Sequence, residues 1–294
     1  MAEFKTERRT ITPRAQTLRK KPETREEKMI AALSPNLNVM VNAARVAGRR
    51  LVRDFGEISS LQVSLKGPGD FVSNADMLAE KTLIEMLSES RPDYGIISEE
   101  RQAVLPKNDS PFTWIIDPID GTTNFLHAIP YFSVSIALQY KEEIIAGIIF
   151  NPITNDLYYA EKGKGAFLMT PTGNMRLRVS GRAQLSYALV GSNGFSSKKN
   201  RELMEKMVDN VASIRYNGCT TLAMAGVAAG QLDLYVATRF KIWDLAVGYL
   251  LIKEAGGYVC DIHNNSEMTD IIQSQSVIAG NHKLKDQILK VIGD

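Results

Sequence analysis

Trp114-Ile115-Ile116-Asp117-Pro118-Ile119-Asp120-Gly121-Thr122-Thr123-Asn124-Phe125 is the stretch around which the rest of this 294-residue chain can be read. Thr113 to Ile116 is a short β-branched and aromatic run, which suits a buried strand ending at Asp117. Pro118 is expected to break that strand, and Gly121-Thr122-Thr123-Asn124 reads as a turn entering a helix. Two carboxylates on such a turn, with the Ile119 carbonyl between them, can converge on one point. Hard oxygen ligands of this kind suit Mg²⁺ better than Zn²⁺ or copper. The N–H groups of Gly121 and Thr122 fall at the helix start, where unpaired N–H groups attract phosphate. The competing reading is an ordinary Asp-Pro-x-Asp-Gly surface turn.

Composition narrows the class. Hydrophobic residues at 44% and charged ones at 23% are those of a globular protein with a sizeable core. Apolar runs such as Leu245 to Ile252 are too short to span a bilayer. The net charge of +2 conceals an asymmetry, because residues 1–28 carry nine Lys or Arg against five acids and leave the body slightly acidic. A basic-body case for nucleic acid therefore fails. Two cysteines, Cys219 and Cys260, and three scattered histidines offer neither a disulfide framework nor a zinc site, which fits a reducing cytoplasm. Residues 1–28 are almost free of large apolar side chains and have no signal-peptide core, so they read as a disordered basic leader.

Going outward, Ser34-Pro35 reads as a helix start, with apolar spacing sustained to about Phe55. Lys66 to Asp70 is a loop by composition, and Ser73-Asn74-Ala75-Asp76 opens a second helix. Tyr94 to Ile97 is a strand with Ser98-Glu99-Glu100 at its end. After the central motif the period changes to two, giving short strands from about Val134 to Arg178 as an antiparallel meander. Beyond about Ser180, strands at Leu189–Gly191, Ile214–Tyr216, Leu234–Val236, Tyr258–Cys260 and Val277–Ala279 alternate with helices at about 197–212, 220–230, 243–255 and 282–292. The chain is thus divided into an α+β half over 29–180 and an α/β half over 181–294.

Three further acidic positions gain force together, although each has an ordinary reading. Glu99-Glu100 is either a hard-metal ligand or a solvated acidic loop. Asp244, after Trp243, sits in a first helical turn, where the helix dipole alone favours an acid. Asp76 follows Ser73 at capping-box spacing.

The motifs run in an order that resembles the inositol monophosphatase family of Mg²⁺-dependent, lithium-sensitive phosphatases, in particular its bacterial SuhB-type branch. The matching pieces are Lys66 with Gly69 to Asp76, Glu99-Glu100, Asp117 to Phe125, Trp243-Asp244-Leu245-Ala246 and Glu254-Ala255-Gly256-Gly257. The resemblance implies a layered αβαβα sugar-phosphatase fold, usually a homodimer, with the site between the two halves. It implies two or three Mg²⁺ ions per subunit. Glu99, Asp117 and the Ile119 carbonyl would hold one ion, and Asp117, Asp120 and Asp244 a second. Asp76 would lie near a third and orient Thr122, leaving Glu99, Thr122 and Asp76 as the catalytic set. Substrate would meet Ile119, Asp120, Gly121, Thr122, Gly218, Cys219, Thr220 and Asp244.

The same resemblance admits other substrates, namely fructose bisphosphate, 3′-phosphoadenosine nucleotides and histidinol phosphate. It also admits a role beside Nus factors and RNA polymerase in ribosomal RNA transcription. Three departures stand out: Ala237 where the family often has a sugar-contacting glutamate, Gly218-Cys219-Thr220-Thr221 for the usual Gly-Thr-Ala-Ala, and Arg101 in place of a small residue. The first is expected to loosen selectivity without touching the metals.

Overall fold

Helices that are apolar on every side decide how this chain stacks. The computed structural model describes residues 24–56, 63–67, 70–101, 103–194 and 198–293. Its elements open with α1 (Arg25–Ala31), α2 (Pro35–Gly56), β1 (Val63–Gly67), β2 (Asp70–Ser73) and α3 (Asn74–Ser90). Then come β3 (Gly95–Ser98), β4 (Phe112–Asp120), α4 (Thr122–Leu126), β5 (Ser133–Tyr140), β6 (Glu143–Asn151), β7 (Asp156–Glu161), β8 (Gly165–Thr170) and β9 (Gly173–Arg176). The remainder is β10 (Leu189–Gly191), α5 (Lys198–Val208), β11 (Ser213–Arg215), α6 (Thr220–Ala228), β12 (Leu234–Thr238), α7 (Ile242–Glu254), β13 (Tyr258–Cys260), α8 (Met268–Ser274), β14 (Ser276–Gly280) and α9 (His282–Gly293).

Strands β3 to β9 form a seven-stranded sheet in sequence order, antiparallel except for the parallel β3–β4 pair. A second sheet of five strands has the order β11-β10-β12-β14-β13. Every residue of α6 from Thr221 to Ala228 is buried, as is every residue of α7 from Leu245 to Ile252. A helix without a wet face must be covered on both sides. Accordingly α6 and α7 share one core with Ile115, Ala137 and Ile149 of the first sheet and with Tyr235, Ala237 and Ala279 of the second. The outer faces are closed by α2 and α3 over Trp114, Ile116 and Ile148, and by α5 and α9 over Val190, Leu234 and Ile278. Five layers, αβαβα, result. Period-two alternation makes this work: Tyr235 and Ala237 serve one core while Leu234 and Val236 serve another.

Several expectations need correction. Pro118 does not end β4. The strand runs on to Asp120 through a register shift between the Asp117–Ser135 and Asp120–Ser133 pairs, in which two residues of β4 face one of β5. That is a β-bulge, a position where the missing proline N–H removes no ladder bond. The Lys66 to Asp70 segment is flanked by an antiparallel hairpin, β1 with β2, rather than being loop throughout. Helix α8 escaped the sequence reading, and α5 is shorter than the expected 197–212. Of the leader, residues 1–23 lie outside the described residues, while α1 runs across its expected end at residue 28.

The two central helices approach closely at Gly248, where an added Cβ would lie 2.6 Å from Met224 Cβ and 2.7 Å from its sulfur. Gly248→Ala should therefore destabilise the fold by about 1–3 kcal/mol through overpacking, despite alanine's better helix propensity. Denaturant unfolding should show a lower midpoint with an unchanged slope.

Candidate active site

The bulge decides where the carboxylates of β4 point. Side chains alternate along a strand, so residues three apart ordinarily face opposite sides. One extra residue at Pro118-Ile119 restores parity and brings Asp117 and Asp120 to the same side. Beside them, β3 runs parallel to β4 with Ser98 opposite Ile116, so Glu99 leaves the sheet next to Asp117. Chain reversal follows at Gly121, whose φ of 98° is left-handed and favours glycine. A side chain there would also crowd the carbonyls of Gly218 and Tyr131, each 3.2 Å from an added Cβ. Helix α4 starts at the next residue.

Each acid is held by a donor from a particular element. Ile119 N–H donates to Asp117 Oδ1 at 3.0 Å. Asp120 is gripped from the second half of the chain, since Thr221 N–H and Oγ1 both donate to its Oδ2 at 2.6 Å. Ser133 Oγ, 2.6 Å from Thr221 Oγ1, extends that chain of hydroxyls. The Cys219 thiol also donates to Asp120 Oδ2 at 3.1 Å. Lys241 N–H donates to Asp244 Oδ2 at 2.7 Å, so the acid does cap its own helix. Thr122 Oγ1 lies 3.1 Å from both Asp76 Oδ1 and the Ile119 carbonyl oxygen. Asp76 thus reaches across to α4. Its expected capping partner, the Ser73 side chain, lies outside the described residues.

Electrostatics tie these acids into one group. Burial holds the Asp117 carboxyl well above the usual range, and the charges of Glu99, Asp120, Asp244 and Asp76 push it further. Asp244 is pushed up to about 8 by burial and then by Asp120, against a smaller opposing pull from the Lys241 N–H. Among the described residues, no three His, Cys, Asp or Glu side chains already stand together as a metal-binding group. Asp117, Asp120, Asp244 and Asp76 are instead turned to the donors named above. Buried hard oxygens pressing on one another electrostatically make a donor set that fits a divalent cation such as Mg²⁺.

Of the other sequence-predicted contacts, Gly218 has a φ of 76° and packs against the Asn124 amide. Thr220 Oγ1 accepts from Tyr235 O–H at 3.1 Å. Cys219 is buried, and burial followed by the Asp120 charge pushes its thiol up, which makes it inert as a nucleophile. A cavity of about 530 Å³ opens alongside, lined by Thr123, Asn124, Ile129, Tyr131, Tyr216 and Gly218. Ala237 is buried in β12 on the same face as Tyr235. Sequence reasoning gave no role to Thr221, Ser133 or Asn124. Asn124 Nδ2 lies 2.7 Å from the carbonyls of both Tyr131 and Asn217, linking α4 to two loops. Only the adjacency of Thr221 to the glycine turn hinted at its part.

A family model described as the inositol monophosphatase family matches residues 32–293. The chain belongs to that family. It is 47% identical over 267 residues to a Mesorhizobium japonicum protein named inositol-1-monophosphatase, across 89% of this chain and 97% of that one. It is 36% identical over 266 residues to a Pasteurella multocida protein named Nus factor SuhB, across 88% and 96%. Among solved structures, the extragenic suppressor protein SuhB of Bartonella henselae aligns with a TM-score of 0.82 at 42% identity, covering 88% of this chain and 98% of that one. The αβαβα layering described above is therefore that of an inositol monophosphatase.

Thr221→Val keeps the shape of the Asp120 support and removes its hydroxyl. Stability should fall by about 1.5–3 kcal/mol, the range for a hydrogen bond to a charged group, and Thr221→Ser should recover most of it. Thermal and denaturant unfolding of the three proteins would measure this.

Proposed function

We propose that this family member is a phosphate monoester hydrolase that converts inositol-1-phosphate to inositol and phosphate, with Mg²⁺ as its cofactor. The observation that carries the reading is the buried Asp117, on which Asp120 of the same strand and Glu99, Asp244 and Asp76 of three other segments bear. Glu99, Asp117, the Ile119 carbonyl, Asp120 and Asp244 would hold two ions, with Asp76 beside a third, weaker one. Bound there, Mg²⁺ lowers the pKa of water and offsets the charge of the phosphoryl group. Glu99 and Thr122 position and deprotonate the attacking water. With its own proton directed to Asp76, Thr122 keeps a lone pair for that water. The N–H groups of Gly121 and Thr122 stabilise charge building on the phosphoryl oxygens. Gly218, Cys219, Thr220 and Asp244 border the leaving group.

Lithium sensitivity, a homodimeric state, a cytoplasmic location and two functional halves meeting near residue 180 belong to the same proposal. Among the described residues, no helix is long and apolar enough to cross a membrane. Fructose bisphosphate, 3′-phosphoadenosine nucleotides and histidinol phosphate are the competing substrates. A panel of these esters assayed with Mg²⁺ should rank inositol-1-phosphate first. Asp117→Asn should lower that turnover at least about 10²-fold, with a thermal midpoint unchanged or raised because a like charge has left a buried cluster. Near-normal hydrolysis by this variant would overturn the metal assignment.

Relatives named Nus factor SuhB motivate a second, coexisting role as a partner of Nus factors and RNA polymerase. Pull-down with purified Nus factors should enrich the full chain. Comparison with a chain lacking residues 1–28 assigns the leader's share, and no enrichment of either form would remove this role.

A further inference from the structure

Among the buried carboxylates that the hydrolytic scheme leaves unused, Glu80 stands nearest in sequence to a site residue. Glu80 lies on α3 four residues after Asp76, hence on the same helical face. A buried carboxylate persists only where donors are aimed at it. The donors here come from the residues flanking Glu99. Ser98 Oγ donates to Glu80 Oε1, and Glu100 N–H donates to the same oxygen at 3.0 Å. Arg101 Nε lies 3.1 Å from Oε2 as an ion pair, with its side chain half-exposed. One side chain therefore clamps the chain immediately before and after Glu99.

Simple bracing of β3 does not account for this placement. That strand is already secured by its ladder to β4 and by the antiparallel Ile96–Val104 bridge. The ladder ends at Ser98 opposite Ile116, and the Glu80 contacts begin at that residue and continue beyond it. Arg101, which departs from the small residue expected there, supplies the charge that a buried acid close to an anionic centre needs. Together, Asp76 and Glu80 let one face of α3 steady two arms of the site: Thr122 on one side, the Glu99 segment on the other.

We infer that Glu80 is a positioning residue for Glu99, fixing the aim of that ligand toward Asp117, with Arg101 as its charge partner. This rests on the metal-dependent hydrolase reading. Orienting groups behind a metal ligand typically govern affinity by 10–100-fold.

The test is Mn²⁺ titration of the full-length protein, read by electron paramagnetic resonance without substrate. Wild type is compared with Glu80→Gln, Arg101→Ala and Asp233→Asn. Asp233 is also a buried acid paired with an arginine, Arg182, but it supports Leu189 rather than the site. Glu80→Gln should weaken Mn²⁺ binding about 10-fold or more, and Arg101→Ala should shift it the same way by less. Asp233→Asn should lose stability with its Mn²⁺ affinity unchanged. In hydrolysis assays the Mg²⁺ requirement of Glu80→Gln should rise by a matching factor, with most of kcat returning at saturating Mg²⁺. Should Glu80→Gln fail to fold, Ser98→Ala combined with Arg101→Ala carries the same expectation. Wild-type affinity in the folded variants would overturn the inference alone. A wild-type protein that binds no Mn²⁺ would overturn the hydrolase reading and this inference with it.

Discussion

A two-against-one count of residues in β4 governs the chemistry of this protein. Without the bulge at Pro118-Ile119, Asp117 and Asp120 would lie on opposite faces of the seven-stranded sheet. One would then be buried among the aromatic side chains under α2 and α3, and no shared site would exist. The parallel pairing of β3 adds the third acid without any special device, because Glu99 is simply the next residue after a strand whose last pair, Ser98 with Ile116, stands one residue short of Asp117. Proline suits the bulge because that position asks for no ladder donor.

Gathering buried acids opposes folding, and the surrounding structure shows how the opposition is contained. Every one of these carboxylates with a described contact takes a hydrogen bond from a different piece of chain: Ile119 for Asp117, Thr221 for Asp120, Lys241 for Asp244, Thr122 for Asp76. The Asp120–Thr221 contact joins residues 101 positions apart and ties the end of β4 to the first turn of α6. Raised pKa values at Asp117 and Asp244 follow from burial and mutual charge together. The same low-dielectric, like-charged setting that favours protons also favours a divalent cation, so cation binding and proton release are linked.

Much of this could be read from the sequence, and the misses share a cause. The α2 boundaries, the meander and the five strands of the second sheet follow from periodicity and turn residues, which are local signals. Gly121 announced its turn because only glycine tolerates that backbone conformation cheaply. Pro118 misled, since local chemistry alone cannot separate a strand end from a bulge within a strand. The partners of Asp120 and Glu80 were missed because they depend on long-range contacts that no spacing rule encodes. Asp244 was read as an acid favoured by the dipole of a first helical turn; the structure adds that it accepts from the Lys241 N–H as a cap and that its charge bears on Asp117, and these roles are compatible.

Selectivity and reactivity separate along the layers. The acids and the Gly121 turn belong mainly to the first sheet, whereas Gly218, Thr220, Tyr235 and Ala237 approach from α6 and the second. Ala237 lies on the face that carries Tyr235, whose hydroxyl reaches Thr220 at the border of the site. A change of side chain at that position would leave every acid on β4 where it is. Relatives bearing two different names match this one chain over most of its length, so the layered fold by itself does not choose between the activities those names describe.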